Sequence, residues 1–248
     1  PTWTKNSGAV PPLPAPTRRL LSALTLPGLV IDWPSVVAVI FTVLFVGWFI
    51  NLYNFMDGMD GFAGGMTLFG FGTLAVLGLL QGDAVFGASA LCVAAGALGF
   101  LVFNFPPARI FLGDLGSASL GFIAAVFALW ADQRGVAPLW VSVMVFGPFV
   151  LDATVTLVRR LRNGEKVWEA HRSHYYQRLV QAGWSHRRTV LAEYLLMVLA
   201  SGSAILTVWL APAAQWVLIV MWLAAYAGAA FWVQRHVRIP TKSATDSD

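Results

Sequence analysis

Charge is what this sequence has least of. It carries 16 Lys+Arg and 12 Asp+Glu among 248 residues, 11% charged against 58% hydrophobic. A water-soluble domain carries roughly 25% charged residues and ~45–50% apolar ones. The shortage therefore excludes an ordinary soluble surface. A disordered chain is excluded from the other side, because so much apolar surface cannot stay solvated. Cysteine is nearly missing too. Cys92 is the only one, which excludes a disulfide framework and a cysteine metal site. Within its apolar run it reads as a small hydrophobe. No Gly/Ser linker, heptad run or repeat of fixed period is present, and no P-loop or Ser-His-Asp arrangement is visible. The opening PTWTKNSGAVPPLPAP holds no hydrophobic run of signal-peptide type and starts on proline,. The net charge of +4 does not indicate nucleic acid, because the basic residues are interleaved with hydrophobic spans instead of forming one basic face.

What is present is apolar sequence in long runs. A membrane-spanning helix needs roughly 20 mostly apolar residues. Seven segments qualify: 34–50, 66–80, 85–103, 117–131, 138–158, 190–210 and 215–233. The expected fold is all-α, a polytopic transmembrane helix bundle of about seven spans, truncated at its N-terminus. Its parts would be an N-terminal segment 1–33, a membrane domain 34–233 and a cytoplasmic tail 234–248. Residues 20–31 are apolar but short and broken by Pro27 and Gly28, and they read as the remnant of a cut helix. Twelve of the sixteen basic residues fall on the side that holds 51–65, 104–116, 159–189 and 234–248, and only Arg134 falls opposite. The positive-inside rule makes the first side cytoplasmic.

The few polar residues gather on that side. Asn51, Asn54, Asp57 and Asp60 recur every third residue, which on a helix would line one flank. Gly58, Gly61 and Gly64 repeat at the same step, letting a backbone or a ligand approach closely. The plainer alternative is a polar loop with turn glycines. In NFPPARIFLGDLGS the Pro-Pro pair breaks the helix, so contacts must order that loop. Asp114 then opens the next span, either as a helix cap or as a ligand for a hard cation such as Mg²⁺. Asp152 lies inside a span, about 10 Å from its cytoplasmic end. Ionisable residues within spans are costly and usually functional. The loop after Arg159 is basic and aromatic. His171 and His174 flank Arg172 and would share one helix face. They make a weak zinc pair, since no cysteine is near and His186 lies beyond a Gly-Trp break. They make a better phosphate clamp. Trp168, Tyr175 and Tyr176 suit a membrane interface. Together these parts suggest phosphoryl chemistry on a lipid phosphate at one membrane face.

The segments NLYNFMDGMDGFAGG (51–65), FNFPPARIFLGDLGSASLG (103–121), LDATVTLVRR (151–160) and HRSHYYQRL (171–179) resemble, in order, the motifs of the polyprenyl-phosphate N-acetylhexosamine-1-phosphate transferases. The last segment is more similar to the O-antigen-initiating branch than to the related phospho-N-acetylmuramoyl-pentapeptide transferases. The resemblance implies transfer of a sugar-1-phosphate from a UDP-N-acetylamino sugar to undecaprenyl phosphate, releasing UMP. It implies Mg²⁺, with Mn²⁺ as the alternative, bound by Asp114. Asp57, Asp60 and Asp114 would form the catalytic centre, and Asn51 and Asn54 would bind substrate beside them. Asn104 and Phe111 match uridine-contacting positions. His171, Arg172 and His174 match the donor diphosphate loop, and Asp152 and Arg159 a further polar pair. The setting implied is the bacterial inner membrane, multi-pass, with a cytoplasmic active face and with a homodimer open. The family also has upstream spans and an adjacent Asp-Asp pair tied to Mg²⁺ or the lipid phosphate. This sequence contains no Asp-Asp dipeptide, so the chain is expected to begin after both. Two competing readings are a transporter, whose ion-binding acids would sit near the bilayer midplane, and an inactive relative that only binds lipid phosphate.

Overall fold

The computed structural model describes residues 23–166 and 172–237. A β-hairpin comes first, with β1 at Ala23–Leu26 and β2 at Leu29–Asp32. Nine helices follow within the described residues: α1 Ser35–Met56, α2 Phe62–Leu80, α3 Ala84–Asn104, α4 Gly113–Gln133, α5 Leu139–Val145, α6 Gly147–Arg162, α7 Tyr175–Gln181, α8 His186–Leu206 and α9 Pro212–His236. Helices α1 to α4, α8 with its short 3₁₀ extension, and α9 are each long and apolar enough to cross a membrane. The pair α5 and α6 is apolar enough only when taken together, and its bend fits a broken span or a re-entrant loop. The chain is therefore a helical, multi-pass membrane protein. Val36, Val39, Ile40, Val43 and Leu44 of α1 are exposed, while Phe49, Leu52, Tyr53 and Met56 are buried. Lipid, not water, suits such an exposed face.

Two expectations are corrected. The run 138–158 is not one straight span, because α5 and α6 meet at 84°. Pro148 has no amide hydrogen to give the preceding turn and is tolerated only in the first turn of a helix, so α5 stops at Phe146 and a new helix starts at Gly147,. The apolar residues 20–31 are not the remnant of a helix: from Ala23 onward they form the hairpin. Pro27 and Gly28 are its two turn residues, with Leu26 paired to Leu29. Gly28 has φ +73°, a conformation that glycine adopts without cost at the third position of a turn. The Pro27 carbonyl accepts a hydrogen bond from Trp216 Nε1 at 3.0 Å, which seats the hairpin on the start of α9. Hydropathy also stops short of several helix ends. Helix α1 runs to Met56, α2 starts at Phe62 and α4 at Gly113, because helices end in polar caps that hydropathy does not register.

One close approach positions the site. A Cβ on Gly121 would lie 2.4 Å from the Phe49 carbonyl oxygen, so the backbones of α1 and α4 touch there. Asn54 lies five residues beyond Phe49, and Ser117 and Asp114 lie four and seven before Gly121. At 1.5 Å per residue these offsets are about 7.5, 6 and 10.5 Å. The antiparallel pair thus brings the three side chains to one height.

Candidate active site

The three-residue repeat from Asn51 to Asp60 does not lie on one helix. Helix α1 ends at Met56 and Asp57 is its C-cap. Asp60 sits in the following turn, and α2 begins at Phe62. Asn51 turns inward on its own helix, Nδ2 donating to the Gly47 carbonyl at 2.7 Å. Asn54 reaches across instead. Its Nδ2 donates to Asp114 Oδ1 at 3.1 Å and to Ser117 Oγ at 3.2 Å. The Ser117 hydroxyl in turn donates to the Asp114 carbonyl at 3.2 Å. Asp57 faces the same place. Burial, and then the Asp114 carboxylate, push its carboxyl up to about 6, against the opposing pull of the Gly113 amide. Two acids that repel each other behind one amide donor form an oxygen site with room for positive charge. Among the described residues no three His, Cys, Asp or Glu come together as a metal cluster. A pair of carboxylates suits Mg²⁺, which keeps waters and shares substrate phosphates.

The next contacts knit the turn to its neighbours. Asp60 Oδ2 accepts the Ala108 amide at 3.1 Å. Its Oδ1 lies 3.5 Å from His186 Nδ1 at the start of α8. Asn104 is buried, accepting from the Gly61 amide at 2.9 Å and donating to the Ile110 carbonyl at 2.8 Å. The loop 105–112 is ordered by these contacts, as its proline pair requires. Phe111, on that loop, is 75% exposed.

Asp152 and Arg159 are not paired with each other; both hold the loop before α7. The Asp152 carboxylate accepts the Tyr175 amide at 2.9 Å and the Tyr176 amide at 3.2 Å. His174 Nδ1 lies 3.2 Å away and Thr156 Oγ1 donates at 3.1 Å. An acid accepting the first amides of a helix is a cap. Arg159 Nη2 donates to the Ser173 carbonyl at 2.6 Å, and its guanidinium lies 5.4 Å from the Tyr175 ring centre. His174 is not within a helix. Helix α7 starts only at Tyr175, with His174 as N-cap, while His171, like Trp168, lies outside the described residues. His174 is buried, its ring stacked near Phe55 and Tyr176 at 5.9 and 6.1 Å. Arg172 is exposed.

Tyr176 was expected at a membrane interface and is instead a central strut, 1% exposed. Its hydroxyl donates to the Phe55 carbonyl at 3.1 Å and accepts from Gln177 Nε2 at 3.2 Å. A Cβ on Gly58 would lie 2.3 Å from that hydroxyl. The glycine beside Asp57 therefore admits a protein side chain. Tyr194 Oη donates to the Gly61 carbonyl at 2.6 Å. Arg160, counted among the topogenic basic residues, is buried and pairs with Glu165 at 2.8 Å. Tyr176, Tyr194, Ser117 and His186 thus complete the site. Ser117 and Tyr176 lay inside the quoted motifs, but spacing does not reveal a strut across distant segments.

All these groups lie at one end of the bundle, where α1, α3 and α6 finish and α2, α4 and α8 begin.

Glycosyl transferase family 4 matches residues 15–132. A probable undecaprenyl-phosphate N-acetylglucosaminyl 1-phosphate transferase of Bacillus subtilis is 35% identical over 185 residues, covering 72% of this chain and 52% of that protein. A decaprenyl-phosphate N-acetylglucosaminephosphotransferase of Mycobacterium tuberculosis is 37% identical over 179 residues, 62% of this chain and 44% of the relative. A phospho-N-acetylmuramoyl-pentapeptide-transferase of Staphylococcus saprophyticus is 31% identical over 156 residues, 63% and 47%. The chain spans about half the length of these curated relatives. By these matches, the chain belongs to glycosyl transferase family 4, and the curated relatives that it matches are named as polyprenyl-phosphate N-acetylglucosamine-1-phosphate and phospho-N-acetylmuramoyl-pentapeptide transferases.

Proposed function

We propose that this protein transfers an N-acetylamino-sugar-1-phosphate from a UDP-sugar to undecaprenyl phosphate, releasing UMP and starting a cell-surface glycan of O-antigen type. One observation carries the reading. In a chain similar to N-acetylglucosamine-1-phosphate transferases, the Asn54–Asp114 bridge and the facing Asp57 share one end of the bundle with the Arg172 loop. In this reaction an oxygen of the lipid phosphate attacks the sugar-bearing phosphorus of the donor. The bond from that phosphorus to the bridging oxygen breaks, UMP leaves, and a diphosphate joins sugar to lipid. Mg²⁺, or Mn²⁺ in its place, would be held by Asp114 with Asp57 beside it and would neutralise diphosphate charge. Exposed Phe111 offers a ring for the base, on a loop held by Asn104 and Asp60. Arg172 offers charge to the diphosphate, and Arg159, Asp152 and His174 hold its loop. The basic bias supports a cytoplasmic active face on the bacterial inner membrane.

The test is UMP release by detergent-solubilised protein given UDP-N-acetylglucosamine, undecaprenyl phosphate and Mg²⁺. EDTA should abolish release. Asp114→Asn should lower it ~10²–10³-fold, the equivalent of several kcal/mol of lost charge stabilisation. Release that ignores both changes would refute the reading.

A further inference from the structure

His186 opens α8, but the helix does not need it there. Ser185 already caps that end, its Oγ accepting the Arg188 amide at 3.2 Å. A cationic imidazole would also oppose the positive end of the helix dipole. The side chain instead approaches Asp60, with Nδ1 3.5 Å from Oδ1. The two oxygens of Asp60 are thereby divided. Oδ2 is spent on the Ala108 amide, in the loop that carries Phe111, while Oδ1 faces the imidazole. The His186 and Asp60 side chains are 44% and 21% exposed, and a pair this open to solvent adds little to stability. At 3.5 Å it is also longer than a good hydrogen bond. Contacts of this kind in unliganded sites often tighten when substrate arrives.

We propose that His186 is a positioning residue that orients Asp60 toward the nucleotide end of the donor. The inference rests on the nucleotide-sugar reading above. The probe is UDP, titrated calorimetrically into the full chain in nanodiscs and paired with thermal melting. His186→Ala should weaken UDP binding about tenfold, about 1.4 kcal/mol, without moving the melting temperature. His186→Asn, whose amide nitrogen sits near the Nδ1 position, should recover most of the affinity. In an Asp60→Asn background, His186→Ala should cost nothing further.

Three results would overturn the proposal: unchanged affinity in His186→Ala, an equal loss with and without the Asp60 carboxylate, or wild-type protein that does not bind UDP. The two readings separate cleanly. UDP binding that depends on His186, in a protein that releases no UMP with lipid acceptor, leaves the positioning role standing and refutes sugar-phosphate transfer. Turnover with a UDP affinity indifferent to His186 does the reverse.

Discussion

Adding one methyl group at Gly121 should disturb the acid site from about 10 Å away. A Cβ there would meet the Phe49 carbonyl oxygen at 2.4 Å, the Ile50 Cα at 2.8 Å and the Phe49 carbonyl carbon at 2.9 Å. All three are backbone atoms, so no side chain can swing aside. Relief to ordinary contact distance requires α1 and α4 to part by about 1 Å. Overpacking of this kind costs typically about 1–3 kcal/mol. The same shift would stretch the 3.1 Å bond from Asn54 to Asp114 beyond hydrogen-bonding distance. A misplacement of about 1 Å at a reacting centre can cost ~10²-fold in rate. Gly121→Ala should therefore lower the melting temperature and reduce UMP release far more than the stability loss explains. Its neighbour Phe122 is half-exposed, so Phe122→Ala is the control and should leave turnover near wild type. Wild-type melting and turnover in Gly121→Ala would show that the two helices do not meet as described.

Four further outcomes follow from named contacts. Gly58→Ala drives a methyl group into the Tyr176 hydroxyl and should destabilise by about 1–3 kcal/mol, whereas Tyr176→Phe loses only the bond to Phe55 and should cost about 1 kcal/mol; equal melting temperatures for the two would contradict the strut. Asp152→Ala strips the cap from the Tyr175 and Tyr176 amides and should cost about 1–2 kcal/mol while raising protease cleavage between Asn163 and His174; an unchanged digest would refute it. Asp57 is held at about 6, so below that pH a cation must displace its proton. Mn²⁺ affinity by electron paramagnetic resonance should then fall as pH drops through 6, and a flat profile would exclude Asp57 from the cation site. At the opposite end of the bundle, Asp83 caps α3 through the Phe86 amide, and Arg134 holds its carboxyl below the usual range. Its folded pKa is depressed, so its stabilisation is full above the unfolded value of about 3.9 and is lost as pH falls through the folded value; Asp83→Ala should cost about 1 kcal/mol at neutral pH and nothing at strongly acid pH.

Much of the architecture was legible because lipid imposes a one-dimensional code. Any stretch of roughly 20 apolar residues must hydrogen-bond to itself as a helix, so six long helices and the bent α5–α6 pair could be placed by counting. The failures share one cause. Breaks and caps are decided by single residues that hydropathy averages away: Pro148 separates α6 from α5, Pro27-Gly28 turns an apolar run into a hairpin, and Asp57 ends α1 midway through a regular repeat. The site was legible as a set of segments and not as a set of roles. Asn54, Asp57 and Asp114 meet as expected from their motifs. Asn51 satisfies a carbonyl of its own helix, and Asp152 serves a helix cap.

Asp152 shows why role and location must be argued separately. An acid within a span is costly and therefore invites a functional reading. Here the cost is offset locally, because both oxygens accept amides of α7 and a hydroxyl from its own helix donates as well. That cap fixes where α7 begins. The start of α7 fixes Tyr176, which reaches Phe55 and leaves space only for glycine at position 58. Position 58 adjoins Asp57, the acid that faces Asp114. The acid within α6 thus acts on the site through three successive contacts. A substitution at Asp152 should accordingly lower turnover in proportion to how far it releases α7, with Asp152→Asn, which keeps one acceptor oxygen, milder than Asp152→Ala. Identical losses in the two variants would instead mean that the charge itself, and not the cap, is what the reaction requires.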